Sequence, residues 1–362
     1  MPTNFRWLEQ NMLNKKFVIK LALLTLVVTV AAFSVYYERL SSTISKVTET
    51  LVFPELASEI GSIRKITIKN SQGSQKGSFT IIPEGKHWKV LEKGGYLARD
   101  TAIRETLLGL TELVYLEAKT KDPKRHKKLN LEDTNLKTSK ATQIILEDDS
   151  GKILVDSHFG KRVRNLSGGT PSAYFRQSND AQTWLVRGEL EVRGEILDWL
   201  SVVLLSIQRE RILEASFQSS NQPTLKLRYN KDMERFDIQD LSKDREIKSR
   251  YRVLNVGTIP ENLTLKDVRP ARLTPNPNLR SVAWQTPDGL IVTLKLARED
   301  ESDKRQWAHI SAVTTKNAKE KVKDEARNIN SKTRGWEFWL GDDVIKRLNE
   351  TPDTLTKEKA AD

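Results

Sequence analysis

"KHWKVLEKGGYLARDTAIRETLLGLTELVYLEA", residues 86 to 118, sets out strand, helix and strand in one run. "HWKVLE" reads as a tryptophan-bearing strand that ends in a turn. In "RDTAIRETLLGLTEL", Ile103, Leu107, Leu110 and Val114 recur at helical spacing, with Asp100 or Thr101 available as N-cap. "LVYLEA" returns to strand. Upstream, "IRKITIK" (63–69) and "GSFTII" (77–82) alternate apolar and polar side chains, as half-buried strands do. One helix face therefore packs on a sheet, with Trp88, Tyr96, Ile103, Leu107 and Leu110 as its core, so the stretch reads as a packing unit and not as a site.

Downstream, "TQIILEDDSGKILVDSHFG" (142–160) reads as a hairpin turning at Asp149-Ser150-Gly151. "AYFRQSNDAQTWLVRG" (173–188) reads as a second hairpin, and Ile196, Leu200, Val203 and Ile207 suggest a helix over 193–207. The plan then recurs at offsets of roughly 146 to 150 residues, slightly shorter for the hairpin. Ile212 answers Ile63, Leu225 answers Phe79, Phe236 answers Trp88, "LTLKDV" (263–268) answers "LVYLEA", and "VAWQTPDGLIVTL" (282–294) answers the first hairpin. The expected fold is α+β: an N-terminal transmembrane helix, then two duplicated strand-rich units, each a mixed or antiparallel sheet with one or two packing helices. A polar stretch at 313–333 reads as a loop or solvated helix, "GWEFWL" (335–340) as a last strand, and "GDDVIKRLNE" as a short capped helix.

The chain has 362 residues, 38% hydrophobic and 30% charged, with no cysteine. That is enough for two domains with a substantial core, and it excludes disulfides, cysteine nucleophiles and thiolate metal sites. The net charge of +12 is concentrated in part in "KTKDPKRHKKL" (119–129), where Lys119, Lys121, Lys124, Arg125, Lys127 and Lys128 face only Asp122. Lys161, Arg162 and Arg164 form a second cluster. Neither has the interleaved aromatic residues of a single-strand binder, so nucleic acid is not an expected partner. The first cluster reads as a solvated loop, or as a contact for an anionic lipid or glycan surface.

"FVIKLALLTLVVTVAAFSVYY" (17–37) carries one charge, Lys20, and is long enough as a helix to cross a bilayer. The basic residues Arg6, Lys15 and Lys16 precede it, which by the positive-inside rule leaves the N-terminus cytoplasmic. The alternative is a signal peptide cleaved near "AFS" (32–34); the length of the apolar run and the bulky Tyr36 and Tyr37 favour an uncleaved anchor. The expected organisation is a cytoplasmic tail (1–16), anchor (17–37), polar stalk (38–50), first unit (51–211), second unit (212–350) and disordered tail (351–362).

Motifs of chemistry are sparse. The four histidines, His87, His126, His158 and His309, have no helical metal-pair spacing and read as surface or turn residues. No nucleophile elbow, Walker loop or dinucleotide fingerprint follows a strand. "SGGT" (167–170) reads as a flexible hairpin segment before a phosphate cradle. Glu147, Asp148 and Asp149 read as a charged turn, and Glu189, Glu191 and Glu195 as carboxylates beside a helix start; a glycosidase pair would need two of them facing across a cleft. Asn165 and Asn262 begin glycosylation-like triplets that read as chance matches.

"WKVLEKGGYLARDTAIRETLLGLTELVYLEAKTKDPKRHKKL" and "AYFRQSNDAQTWLVRGELEVRGEILDWLSVVLLSIQRERI" resemble a bacterial domain-of-unknown-function family of membrane-anchored proteins encoded beside gliding-motility-type ABC transporters. The resemblance covers most of 60–300. Leu97 stands where that family commonly has proline, and Ser201 and Ser206 where it has aspartate. It implies a single-pass bacterial inner-membrane protein with its C-terminal part in the periplasm. It further implies a non-enzymatic accessory or scaffolding role in an ABC-type export or envelope system. The expected partners are inner-membrane lipid and ABC-transporter or other envelope subunits, with no cofactor and no catalytic residue to carry over. An envelope receptor for an anionic glycan or lipid is the alternative, ahead of a glycan hydrolase.

Overall fold

The computed structural model describes residues 15–43, 50–71, 77–163, 169, 171–220, 222–272, 280–296 and 305–359. Arg164, Asn165, most of "SGGT", nearly all of the cytoplasmic tail and residues 44–49 of the stalk lie outside them. A single helix, α1 (Lys15–Thr43), comes first. Its described side chains, those of 19–35, are all exposed, Leu26 at 63% and Phe33 at 67% among them. Over the described residues no helix is long and apolar enough to cross a membrane. The spanning reading therefore rests on the sequence of 17–37 and is taken up below.

The first unit opens with α2 (Leu56–Glu59) and continues through β1 (Ile63–Asn70), β2 (Gly77–Glu84), β3 (His87–Val90), β4 (Tyr96–Leu97), α3 (Asp100–Thr111) and β5 (Val114–Ala118). It closes with α4 (Pro123–Leu129), β6 (Thr142–Asp148), β7 (Ile153–Val163), β8 (Ser172–Gln177) and β9 (Thr183–Arg187). Nine strands form one antiparallel sheet in the order β4-β3-β2-β1-β6-β7-β8-β9-β5. The chain arriving from α1 joins this sheet along β5: Leu51 bridges to Val114, and the N–H of Tyr115 donates to Thr50 O at 3.0 Å.

The second unit begins with β10 (Val203–Leu205), then β11 (Glu214–Ser219), β12 (Gln222–Asn230), β13 (Arg235–Ile238), β14 (Arg245–Ile247) and α5 (Arg250–Gly257). There follow β15 (Leu263–Thr264), β16 (Asp267–Pro270), β17 (Ser281–Gln285), β18 (Leu290–Leu296), β19 (Trp307–Thr314), α6 (Glu320–Thr333) and β20 (Trp336–Trp339). Last come α7 (Asp342–Leu348), α8 (Pro352–Leu355) and β21 (Thr356–Glu358). The large sheet runs β13-β12-β11-β17-β18-β19-β20-β16, the order of the first sheet without the equivalent of β4. The registers agree too. Ile68 faces Phe79 as Phe217 faces Leu225, and Glu84 faces His87 as Asn230 faces Arg235, which puts Trp88 and Phe236 at the same place.

Several expectations are corrected. Residues 193–207 form no long helix: a 3₁₀ turn at Ile196–Trp199 leads into β10, which pairs with β15. Asp198, Val203 and Ser206 stay exposed while Ile196, Trp199, Leu200, Leu204, Leu205 and Ile207 are buried, a spacing that fits no single helix face, and the backbone is claimed by neighbours, Ser201 N–H donating to Leu97 O and Arg99 N–H to Trp199 O. The tail is ordered up to 359: Leu355 is fully buried and β21 pairs with β14. Its charges point outward and hid that single anchor. Neither Asp100 nor Thr101 caps α3, since Arg99 holds the N-cap position without a side-chain bond, and α7 starts from Gly341 with no side-chain cap. Trp88 is half-buried on a groove against α3, whereas Tyr96, Ile103, Leu107 and Leu110 are core. The polar 313–333 stretch contains α6, which buries Val322, Ala326 and Ile329 against β19. Asn330 of α6 donates to Ala312 O and accepts from Ala312 N–H, covering a strand edge that β20 leaves unpaired.

One apolar core runs through both units. At their joint the Tyr96 ring meets Trp336 and Phe338 edge-on, with centroids 5.0 and 5.9 Å away, and Lys93 Nζ lies 2.7 Å from Asp267 Oδ1. Gly94 sits there at φ 68°, where an added Cβ would come within 2.4 Å of the Pro270 ring. Gly94→Ala is expected to cost about 2 to 3 kcal/mol, from left-handed strain plus overpacking against a rigid ring. Gly85→Ala, at φ 61° with open space around it, is the control that carries backbone strain alone. Urea midpoints of the two variants measure the difference.

Candidate functional site

The basic segment becomes a short, firmly seated helix. Asp122 Oδ1 accepts the N–H of Lys124 at 3.0 Å, Pro123 occupies the first turn, and Asn130 ends α4 in the left-handed region at φ 59°. His126 is buried, with Nε2 3.0 Å from Ala181 O in the β8–β9 turn. At Gly160 of β7 an added Cβ would lie 2.2 Å from Leu129 O, so only glycine lets α4 sit this close to the sheet. The exposed face is cationic. Lys119 pairs with Glu117, and Arg125 Nε lies 3.6 Å from Asp122. Lys121, Lys124, Lys127 and Lys128 are exposed and make no ion pair among the described residues. Of the second basic cluster, exposed Lys161 follows Gly160 directly, whereas Arg162 donates to Leu190 O at 3.2 Å.

What holds this helix in place was not visible in the sequence. Arg176 is 5% exposed; its guanidinium donates to the carbonyls of Leu131, Gln177, Ser178 and Asp180 at 3.3 Å and to Asp133 Oδ1 at 2.6 Å. His158 lies beside it, 2% exposed, with Nδ1 3.1 Å from Ser178 Oγ and Nε2 3.8 Å from Asp133 Oδ1. Hydroxyl, imidazole and carboxylate thus stand in a row, but the proton logic is not that of a nucleophile. Ser178 Oγ donates to Asp156 Oδ1, which leaves Nδ1 as donor to the hydroxyl and unable to act as its base. Gln143 Nε2 donates to the same Asp156 oxygen at 2.6 Å, completing a satisfied network under the 130–141 loop.

Burial, reinforced by Arg176, pushes His158 down to about 4 and outweighs the opposing pull of Asp133 and Asp156. The folded state therefore binds fewer protons than the unfolded one between about pH 4 and 6.5, and stability falls as pH drops through that window. The loss reaches about 3 kcal/mol, with a plateau above the ordinary imidazole range. His158→Gln is expected to flatten this slope, as read by urea midpoints across pH.

A second buried polar cluster lies in the second sheet. Glu337 is fully buried; Arg269 Nε donates to it at 2.8 Å, Arg272 N–H at 3.0 Å, and His309 Nε2 lies 3.5 Å away. The Arg269 guanidinium stacks 4.0 Å over Trp307, and Arg305 lies 5.0 Å from the same ring while pairing with Asp267. His309 also borders an open groove of about 460 Å³ between β19 and α6. The histidines are thus not all surface residues: His126 and His158 are buried and His309 flanks a buried carboxylate. A single sequence carries no sign of that, because each sits on a strand or helix position defined only by its neighbours in space. Of the carboxylates weighed for glycosidase chemistry, Glu147 is held by Lys65 at 2.9 Å and Glu191 by Arg193 at 2.8 Å. Asp148 is spent on the hairpin turn, accepting from Ser150 and Lys152 N–H. No group of three or more metal-ligating side chains is found among the described residues.

Fold and site together define an α+β protein of two large antiparallel sheets and two short two-stranded ones that presents a basic helix. No family model, curated protein or solved structure matches the chain.

Proposed function

We propose that this protein is a membrane-tethered, non-enzymatic accessory domain of a bacterial envelope complex, of the ABC-export type that the sequence resemblance implies, built by duplication of one α+β unit. The observation that carries the tether is α1. Its described side chains are apolar almost throughout and exposed on every side, a surface that water does not tolerate at this size. The run 17–37 matches the hydrocarbon thickness and carries one charge, Lys20, near its start, with Arg6, Lys15 and Lys16 before it. The accessory role is supported by the buried, hydrogen-bonded state of the polar cluster around Arg176, which acts as a support of the scaffold. Purification of the full chain from gentle detergent extracts should recover ABC-transporter subunits in fixed proportion. Recovery of the chain alone, or a C-terminal reporter active only in the cytoplasm, would overturn the reading. The alternative, a receptor for an anionic glycan or lipid, is favoured specifically by the uncompensated lysines of α4.

A further inference from the structure

We infer that the basic face of α4 is a second membrane contact, which lays the folded body on anionic phospholipid headgroups next to the point where the anchor emerges. The inference rests on the anchor reading above and adds a docked orientation to it. Its basis is geometric. Residues 50–52 run antiparallel to β5, Thr50 opposite Tyr115 and Leu51 opposite Val114. Going back along the chain from Val52 to Thr50 therefore moves toward Ala118, the end of β5 from which Lys119 and α4 continue. Thr50, the first described residue after α1, thus lies toward the end of the sheet that carries the basic helix.

The leash is short. From Tyr37, the end of the anchor, α1 adds about 9 Å to Thr43, and from there to Thr50 the chain can reach at most about 25 Å even when extended. A body held so close experiences the surface at high effective concentration, so individually weak contacts suffice. Anionic lipid attracts each nearby lysine enough to change the docked population roughly fivefold. The helix is suited to this by what it lacks. Asp122 is consumed by its capping bond and by Arg125, and Glu117 by Lys119. The remaining acid on the adjoining turn, Asp180, accepts Gln182 N–H at 2.9 Å. Lys121, Lys124, Lys127, Lys128 and neighbouring Lys161 are left facing outward on a platform that His126 and Gly160 hold against the sheet. No aromatic side chain lies within 119–129, so the contact is with headgroup phosphates and not an insertion into the acyl region.

The absence of cysteine allows a clean test. The full chain carrying Asn179→Cys, in the exposed turn beside α4, is labelled with a donor fluorophore and reconstituted into bilayers containing a headgroup acceptor. Efficient transfer is expected with about 30% phosphatidylglycerol and a marked fall in pure phosphatidylcholine. Adding ~0.5 M NaCl should produce the same fall through screening. The K121Q/K124Q/K127Q/K128Q variant, altered only at exposed positions, should lose the docked state by about a hundredfold or more on anionic bilayers. Transfer indifferent to lipid charge, or unchanged in that variant, overturns the inference. So does lysine-dependent binding of a soluble anionic polysaccharide without any lipid-dependent transfer, which would assign the helix to a glycan. Failure of the anchor has a separate signature: alkaline carbonate would strip the chain from the bilayer, while lysine-dependent flotation with anionic vesicles would persist.

Discussion

Arg176→Met is expected to destabilise the protein by about 3 to 5 kcal/mol and to free α4 from the sheet. Methionine fills much of the stem volume, so the loss falls on the head group. The carbonyls of Leu131, Gln177, Ser178 and Asp180 lose a shared donor in a site that is 5% exposed, and Asp133 loses its cation. Unsatisfied carbonyls at that depth cost far more than a surface bond returns. Two readouts separate this from general weakening. Hydrogen exchange should accelerate first at Leu131 and Ala141, whose amides belong to the loop that Arg176 pins. The ionisation of His158 should also move back up toward its ordinary range, because the neighbouring guanidinium is one of the two main causes that hold it down. An unchanged His158 titration in the variant would mean that the pair is not in contact in solution.

Glu337→Leu should be comparably severe, about 3 to 5 kcal/mol, for the opposite charge reason. It leaves Arg269, 12% exposed, as a cation stacked on Trp307 without its carboxylate, and takes the acceptor from Arg272 N–H. Replacing both members tests the argument. Arg269→Met with Glu337→Leu removes the stranded charge, and the double variant is expected to recover most of the loss, giving a coupling of several kcal/mol in a double-mutant cycle. Strictly additive effects would mean that the buried pair is not an electrostatic unit. Urea denaturation with constant slope provides the measurement.

Much of the fold was legible because it is written in local signals. Alternation in 63–69 and 77–82, helical spacing at Ile103, Leu107 and Leu110, and a glycine at the 149–151 turn all depend on residues close in the chain. The recurrence of that pattern after about 150 residues pointed to two related strand-rich units, and the large sheets share one strand order. The misread segments share one cause. Residues 196–207 bury Ile196, Trp199, Leu200, Leu204, Leu205 and Ile207 around exposed Asp198 and Val203, and so uneven a run has no single period by which helix and strand can be told apart. The C-terminal stretch looked like solvated tail because one leucine, Leu355, and the β14 edge hold it, neither of which is local.

The site divides in the same way. Its charges were plain in the sequence: six cations within 119–128 need no structure to be counted. What only the tertiary structure decided is that four of them, Lys124, Arg125, Lys127 and Lys128, sit on α4 and that the chain from α1 joins β5 antiparallel to it. It also decided that Lys161 comes alongside and that Arg176 and His158 lie beneath. Sequence sets the periodicity and the charge inventory, since both are sums over neighbours along the chain. Burial and orientation come from strands paired across dozens of residues, where the identity of one side chain fixes the environment of another far away.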